Sequence, residues 1–188
     1  MAISQIFICR HGETEWSLSG KHTGRTDLAL TERGRQQAKN LKARLSALSV
    51  DFALTSPLLR ARTTCELAGF SNARTEPLMV EWDYGDYEGL THAEIRKLNP
   101  TWRLTKDGAP NGESPEQMTQ RVDQFLFWLM QQHGNCLLFS HGHFLKSLAA
   151  RWLKLEIAQA SCFALTVASL STLSFERENP VISLWNSA

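Results

Sequence analysis

Three short apolar runs, each ending in a polar cluster, set the strongest limit on what this chain can fold into. Ile6-Phe7-Ile8-Cys9 runs into Arg10-His11-Gly12. Asp51-Phe52-Ala53-Leu54-Thr55 runs into Ser56-Pro57. Cys136-Leu137-Leu138-Phe139-Ser140 runs into His141-Gly142-His143. Each run has the length of a buried strand. Text of helical period then follows. Ala38, Leu41, Leu45 and Leu48 share one face behind Thr31, a plausible N-cap. Pro57 opens a second helix through Leu58, Leu59, Ala61, Cys65, Leu67 and Ala68, ending near Gly69. Ser114-Pro115-Glu116 opens a third, with Met118, Val122, Phe125, Leu126 and Leu129 on one stripe and Gly134 marking its end. Phe144, Leu145, Leu148, Ala149, Trp152 and Leu153 form a fourth. The tail reads as strands near Cys162–Val167, Thr172–Glu176 and Val181–Trp185, the last two joined by the turn Arg177-Glu178-Asn179-Pro180. The middle, 72–116, has few regular periods and reads as functional loops with one short helix near Thr91–Leu98. This order of elements defines an α/β layer fold. No repeat, low-complexity segment or linker divides the chain, so 1–188 is expected to be one domain.

A net charge of +1 leaves no global field to attract nucleic acid or a membrane, and neither is expected as a partner. Attraction for an anion must come from a local arginine cluster. The four cysteines Cys9, Cys65, Cys136 and Cys162 form no C-x-x-C pair and read as reduced thiols, as in a cytosolic protein. Ile3–Cys9 is too short and interrupted for the apolar core of a signal peptide, and no run approaches membrane-spanning length. A cytoplasmic protein is expected. Oligomeric state is not legible.

In open α/β sheets, ligands bind outside the carboxyl ends of the strands. There this chain collects Arg10-His11-Gly12, then Thr55-Ser56 leading to Arg60 and Arg62, then Ser140-His141-Gly142. Histidine can form a covalent phospho-intermediate. Arginine presents a rigid fork of donors to phosphate oxygens. Helix N-termini add backbone N–H groups and partial positive charge. All three ingredients suit a phosphoryl group. Each alone has a plainer explanation: a satisfied structural histidine, a solvated helix face, and aromatic residues in 81–89 that cap the core. Their convergence on one sheet edge favours chemistry.

Arg10-His11-Gly12-Glu13-Thr14-Glu15-Trp16 resembles the RHG signature of the histidine phosphatase superfamily, the phosphoglycerate mutase-like fold. The likeness continues in family order through 23–34, 55–64, 81–89, 111–114 and 140–143. It implies one compact domain, a mostly parallel central sheet with helices on both faces. It implies that His11 is the nucleophile and that Arg10 and Arg60 form the phosphate pocket. His141 would be the second histidine, contacting the phosphoryl oxygens and, if protonated, helping to neutralise them, with Gly142 beside it. Glu81 would be the general acid, its pKa raised by apolar neighbours such as Trp82. Thr23, Gly24, Ser17 and Tyr84 would contact substrate. Arg62, two residues beyond Arg60 on a helix, points elsewhere and reads as structural.

No cofactor or metal is implied. A metallohydrolase reading of His141-x-His143 finds no second ligand pair. A binding module that has lost catalysis would lack one of the five catalytic positions, and all five are present. The chain is short between Arg103 and Ser114, and Ser17 replaces the asparagine usual in mutases. Both features point to hydrolysis of small phosphorylated metabolites rather than to phosphoglycerate mutation; the mutase and a broad-specificity acid phosphatase are the two alternatives. The loops 16–24, 81–89 and 107–113 are similar to those of the fungal sedoheptulose 1,7-bisphosphatase branch, which suggests a sugar phosphate or bisphosphate. Lys21, His22, Arg103, Lys106 and His143 are candidates for a second anionic group.

Overall fold

The computed structural model describes residues 3–187. Six strands form one sheet: β1 (Ile3–Arg10), β2 (Phe52–Thr55), β3 (Arg74–Thr75), β4 (Gly134–Ser140), β5 (Leu170–Glu176) and β6 (Asn179–Ser187). Their spatial order is β3-β2-β4-β1-β5-β6. The first four run parallel, and β5 and β6 add an antiparallel edge. The helices are α1 (Glu15–Ser19), α2 (Glu32–Leu45), α3 (Leu59–Leu67), α4 (His92–Leu98), α5 (Leu104–Asp107), α6 (Pro115–Leu129) and α7 (Gly142–Trp152).

The continuous apolar text of the central strands now has its reason, because both sheet faces are covered. Successive strand side chains point to opposite faces. Ile6, Ile8, Cys136 and Leu138 join Phe125 and Leu129 of α6 and Phe144, Leu145 and Leu148 of α7. Phe7, Cys9, Leu137 and Phe139 join Leu41 and Leu45 of α2 and Cys65 of α3. The helix starts follow local chemistry. The Thr31 hydroxyl accepts from the Gly34 N–H at 3.0 Å. Ser114 and Gln117 form a reciprocal capping box with Pro115 in the first turn. The second helix begins at Leu59, two residues after Pro57, and Asp27 supplies its cap by accepting from the Leu59 N–H at 2.7 Å.

Three sequence expectations need correction. No strand forms at Cys162–Val167. The position beside β1 is taken by β5, and polar groups of this segment bond to distant side chains instead of a strand ladder: the Thr166 N–H donates to Asn186 at 2.7 Å, and the Leu165 carbonyl accepts from Arg10. The middle section is more than loops around α4. It contributes β3 and α5, and its Trp82, Tyr84 and Trp102 are members of the larger core. Its pieces are too short to generate a period. Residues 15–19, unassigned from sequence, form α1 behind a Thr14–Ser17 capping box.

Cys9, Cys65 and Cys136 are buried free thiols, and Cys162 is exposed. Burial pushes the Cys65 thiol up to about 12 and raises Cys9 and Cys136 as well. Among the described residues, no helix is long and apolar enough to cross a membrane.

Candidate active site

Because β1, β2 and β4 run parallel, their carboxyl ends meet at one edge. Arg10 pairs with Ser140, and Thr55 with Phe139. The ladder continues one residue further: the His11 N–H donates to Ser140 O and the Ser56 N–H to Phe139 O, both at 2.9 Å. The His11 and His141 rings therefore arrive side by side, with centroids 5.3 Å apart. Gly12 is dictated by close approach. A Cβ there would lie 2.5 Å from Gly34 O, and one on Gly34 would lie 2.1 Å from Glu13 O. The first turn of α2 thus rests on the loop that carries His11.

His11 is buried, and its Nδ1–H donates to Gly12 O at 2.7 Å, which leaves the Nε2 lone pair free. Burial holds its pKa well below the ordinary histidine value, and the Arg10 and Arg60 charges push the same way. Both influences favour the neutral ring. Arg10 donates from Nη1 to Leu165 O at 2.6 Å, while its buried Nε has no protein acceptor. It lies against Gly142, where a Cβ would come within 3.3 Å of the guanidinium.

Arg60 is fully buried and largely committed to protein. Its Nε donates to His141 Nδ1 at 3.1 Å, Nη1 to Thr26 O at 2.9 Å, and Nη2 to Thr23 O and Gly24 O at 3.1 and 2.9 Å. That carbonyl cradle is itself held by the Glu88 carboxylate, which accepts from the Gly24 and Thr26 N–H groups. Because His141 Nδ1 accepts, its Nε2–H donates to the Ser56 hydroxyl at 2.7 Å. Burial, then Arg60, hold the His141 pKa well below the usual value. A cation cannot accept from Arg60, so the ring is neutral in this arrangement and the condition for charge neutralisation by His141 is not met. Arg62 is exposed and lines no part of the cleft.

Glu81 sits at the start of α7. Its Oε1 accepts from the Phe144 and Trp82 N–H groups at 2.8 and 2.9 Å, and Oε2 from the His143 N–H at 3.0 Å. Trp82 thus offers the carboxylate a backbone N–H; its indole N–H goes to Glu113 O at 2.8 Å. Burial holds the Tyr84 phenol protonated, and its oxygen lies 2.6 Å from Nδ1 of a neutral His143.

A cleft of about 180 Å³ opens over these groups, lined by Arg10, His11, Ser17, Thr23, Glu81, Tyr84 and Gly142. Arg60, His141 and Gly24 are absent from its lining and form the support beneath it. Of the candidates for a second anion, Lys21, His22 and His143 line the cleft. Arg103 lines an adjoining cavity of about 210 Å³ that shares His22 and His143 with it, and Lys106 lines neither. Sequence reasoning missed Lys146, which lines both spaces. It is half-buried, and no carboxylate stands within ion-pair distance of it among the described residues. Burial lowers its pKa. The signal was present: a lone lysine in an apolar helix, one turn after His143. Both ring nitrogens of His141 are taken by Arg60 and Ser56. Among the described residues, no group of three or more His, Cys, Asp or Glu gathers in a way that could hold a metal ion.

Residues 6–188 match the model of the histidine phosphatase superfamily, branch 1, and the chain belongs to that family. An acid phosphatase of Mycobacterium tuberculosis is 39% identical over 176 residues, 92% of this chain and 87% of that one. The sedoheptulose 1,7-bisphosphatase of Saccharomyces cerevisiae is 33% identical, covering 84% and 70%. A solved Mycobacterium tuberculosis structure superposes with a TM-score of 0.94 at 36% identity, covering 98% of each chain. Mutases stand among the relatives too: a 2,3-bisphosphoglycerate-dependent phosphoglycerate mutase of Mesorhizobium japonicum is 35% identical, covering 76% and 78%.

Proposed function

We propose that this protein hydrolyses phosphomonoesters of small metabolites, sugar phosphates or bisphosphates, through a phosphohistidine at His11 and without a metal ion. One observation carries the reading. A neutral His11 offers its free Nε2 to the same cleft as Arg10, whose buried Nε lacks a protein acceptor. The His11 Nε2–phosphorus bond forms as the bond from phosphorus to the alkoxide breaks, and Arg10 holds the oxygens in place. Glu81, protonated for this step, gives its proton to the leaving oxygen. Water then attacks phosphorus, Glu81 takes the proton back, and neutral His11 is restored as phosphate leaves. Arg60 keeps His141 in one tautomer, and that ring packs beside His11.

The adjoining cavity with Lys146 and Arg103 supports a substrate with a second anionic group. The relatives' names favour two substrate types: phosphorylated sugars on one side and phosphoglycerates on the other. Hydrolysis is favoured over mutation by the fold of 103–114. This stretch forms α5 and a turn tied to the core by the Trp102 indole N–H on Gly108 O at 2.7 Å, and so is not spare chain to cover the cleft.

The test is phosphate release from a panel of sugar bisphosphates, sugar monophosphates, phosphoglycerates and an aryl phosphate, with chelator present and a His11→Ala control. Chelator-resistant, His11-dependent release, fastest with the sugar esters, is the expected result. Conversion of one phosphoglycerate isomer to the other without release would replace this reading with the mutase.

A further inference from the structure

The segment that delivers Glu81 has almost no secondary structure of its own. Residues 80–84 lie between two single-turn helical pieces, Pro77–Met79 and Gly85–Tyr87, and belong to no strand. Buried backbone groups still need partners. Here one side chain supplies two of them and one more just before the segment. Arg121, in the middle of α6, donates from Nη1 to Leu78 O and Val80 O, both at 2.8 Å, and from Nη2 to Glu81 O at 3.4 Å. Its remaining donors form a two-pronged pair with Glu113, Nε to Oε1 at 2.8 Å and Nη2 to Oε2 at 2.6 Å. All five N–H groups of the guanidinium are used.

Glu113 extends the grip. Its carbonyl accepts from the Trp82 indole, its N–H donates to Asp83 O at 2.9 Å, and its carboxylate accepts from the Asp83 N–H at 3.4 Å. The guanidinium also stacks 5.4 Å from the centre of the Phe144 ring, and Phe144 is the residue whose N–H holds Glu81 Oε1. The pair is nearly dry, with side chains 15% and 12% exposed. Arg121 therefore touches both halves of the Glu81 environment: the peptide that carries the side chain and the helix start that receives it.

We propose that Arg121, with Glu113, is a positioning residue that fixes the Glu81 carboxyl group for proton transfer to the leaving oxygen. The inference rests on Glu81 being that proton donor. A lysine could balance the Glu113 charge but could not hold three carbonyls and a carboxylate at once, because the planar fork is lost. A displacement of about 1 Å at such a group is enough to cost on the order of 100-fold in rate.

The test compares two leaving groups in single-turnover experiments on the whole protein. An alkyl phosphate needs the proton; p-nitrophenyl phosphate does not. Arg121→Lys is expected to slow phosphoenzyme formation from the alkyl ester by about 10–100-fold while leaving the p-nitrophenyl ester nearly unaffected. Glu113→Gln should show the same pattern, smaller, and it carries the test if Arg121→Lys does not fold. Placed on Glu81→Gln, Arg121→Lys should add no further loss with the alkyl ester. Equal losses with both esters, or losses that multiply in the double variant, would overturn the positioning role. An active wild type with no dependence on His11 would overturn the functional reading instead.

Discussion

The two sides of the cleft are built by opposite means. The histidine side stands on strand ends, where the ladder of β1, β2 and β4 sets the backbone and glycines let neighbours close in. The acid side stands on irregular chain, held by side chains reaching from α6 and by the start of α7. His11 inherits its position from the fold. Glu81 has its position made for it by particular residues.

The comparison is broken most severely on the histidine side. His11→Ala should lower phosphate release by about 10⁴-fold or more with every substrate, and acid-labile labelling of the protein should vanish; retained labelling would move the nucleophile elsewhere. On the acid side, Glu81→Gln should cost about 10²–10⁴-fold with alkyl esters and much less with p-nitrophenyl phosphate. Equal losses with both esters would remove Glu81 from the proton-donor role.

Gly34→Ala probes how the fold supports His11. The added Cβ meets backbone at Glu13, so the loop or α2 must move. A destabilisation of about 1–3 kcal/mol is expected, visible as a melting point lowered by roughly 2–4 °C per kcal/mol for a chain of this size. Stability should also respond to pH. His11, His141 and His143 all have folded pKa values below the unfolded value, chiefly through burial. The unfolded chain therefore binds more protons below about pH 6.5. Stability is fully present above that pH and declines as pH falls through it, before the carboxylates titrate. A melting temperature unchanged between pH 7 and 5 would contradict the neutral, buried assignment.

The same contrast explains what could be read from sequence. β1, β2 and β4, the helices after them, and Arg10, His11 and His141 were legible because long-period elements deliver them to a predictable edge. Glu81 was legible only through family resemblance, since no period surrounds it. Lys146 and Arg121 sit in helices whose apolar stripes are clear, but nothing in a stripe tells what an off-stripe cation will reach across the core. The misread strand at Cys162–Val167 has ordinary strand composition; it lacked a neighbour to pair with, and a sheet position is a property of the assembly rather than of a segment.

The lone buried Nε of Arg10 bears on how the protein would behave at work. Under the proposed function its partner is an oxygen on phosphorus, and free phosphate carries the same oxygens as the group being transferred. The donor has no means of telling the end of the reaction from its beginning. Orthophosphate should therefore compete with substrate, and turnover should slow as it accumulates. Flux through the reaction would then follow the phosphate level around the protein as well as the supply of ester.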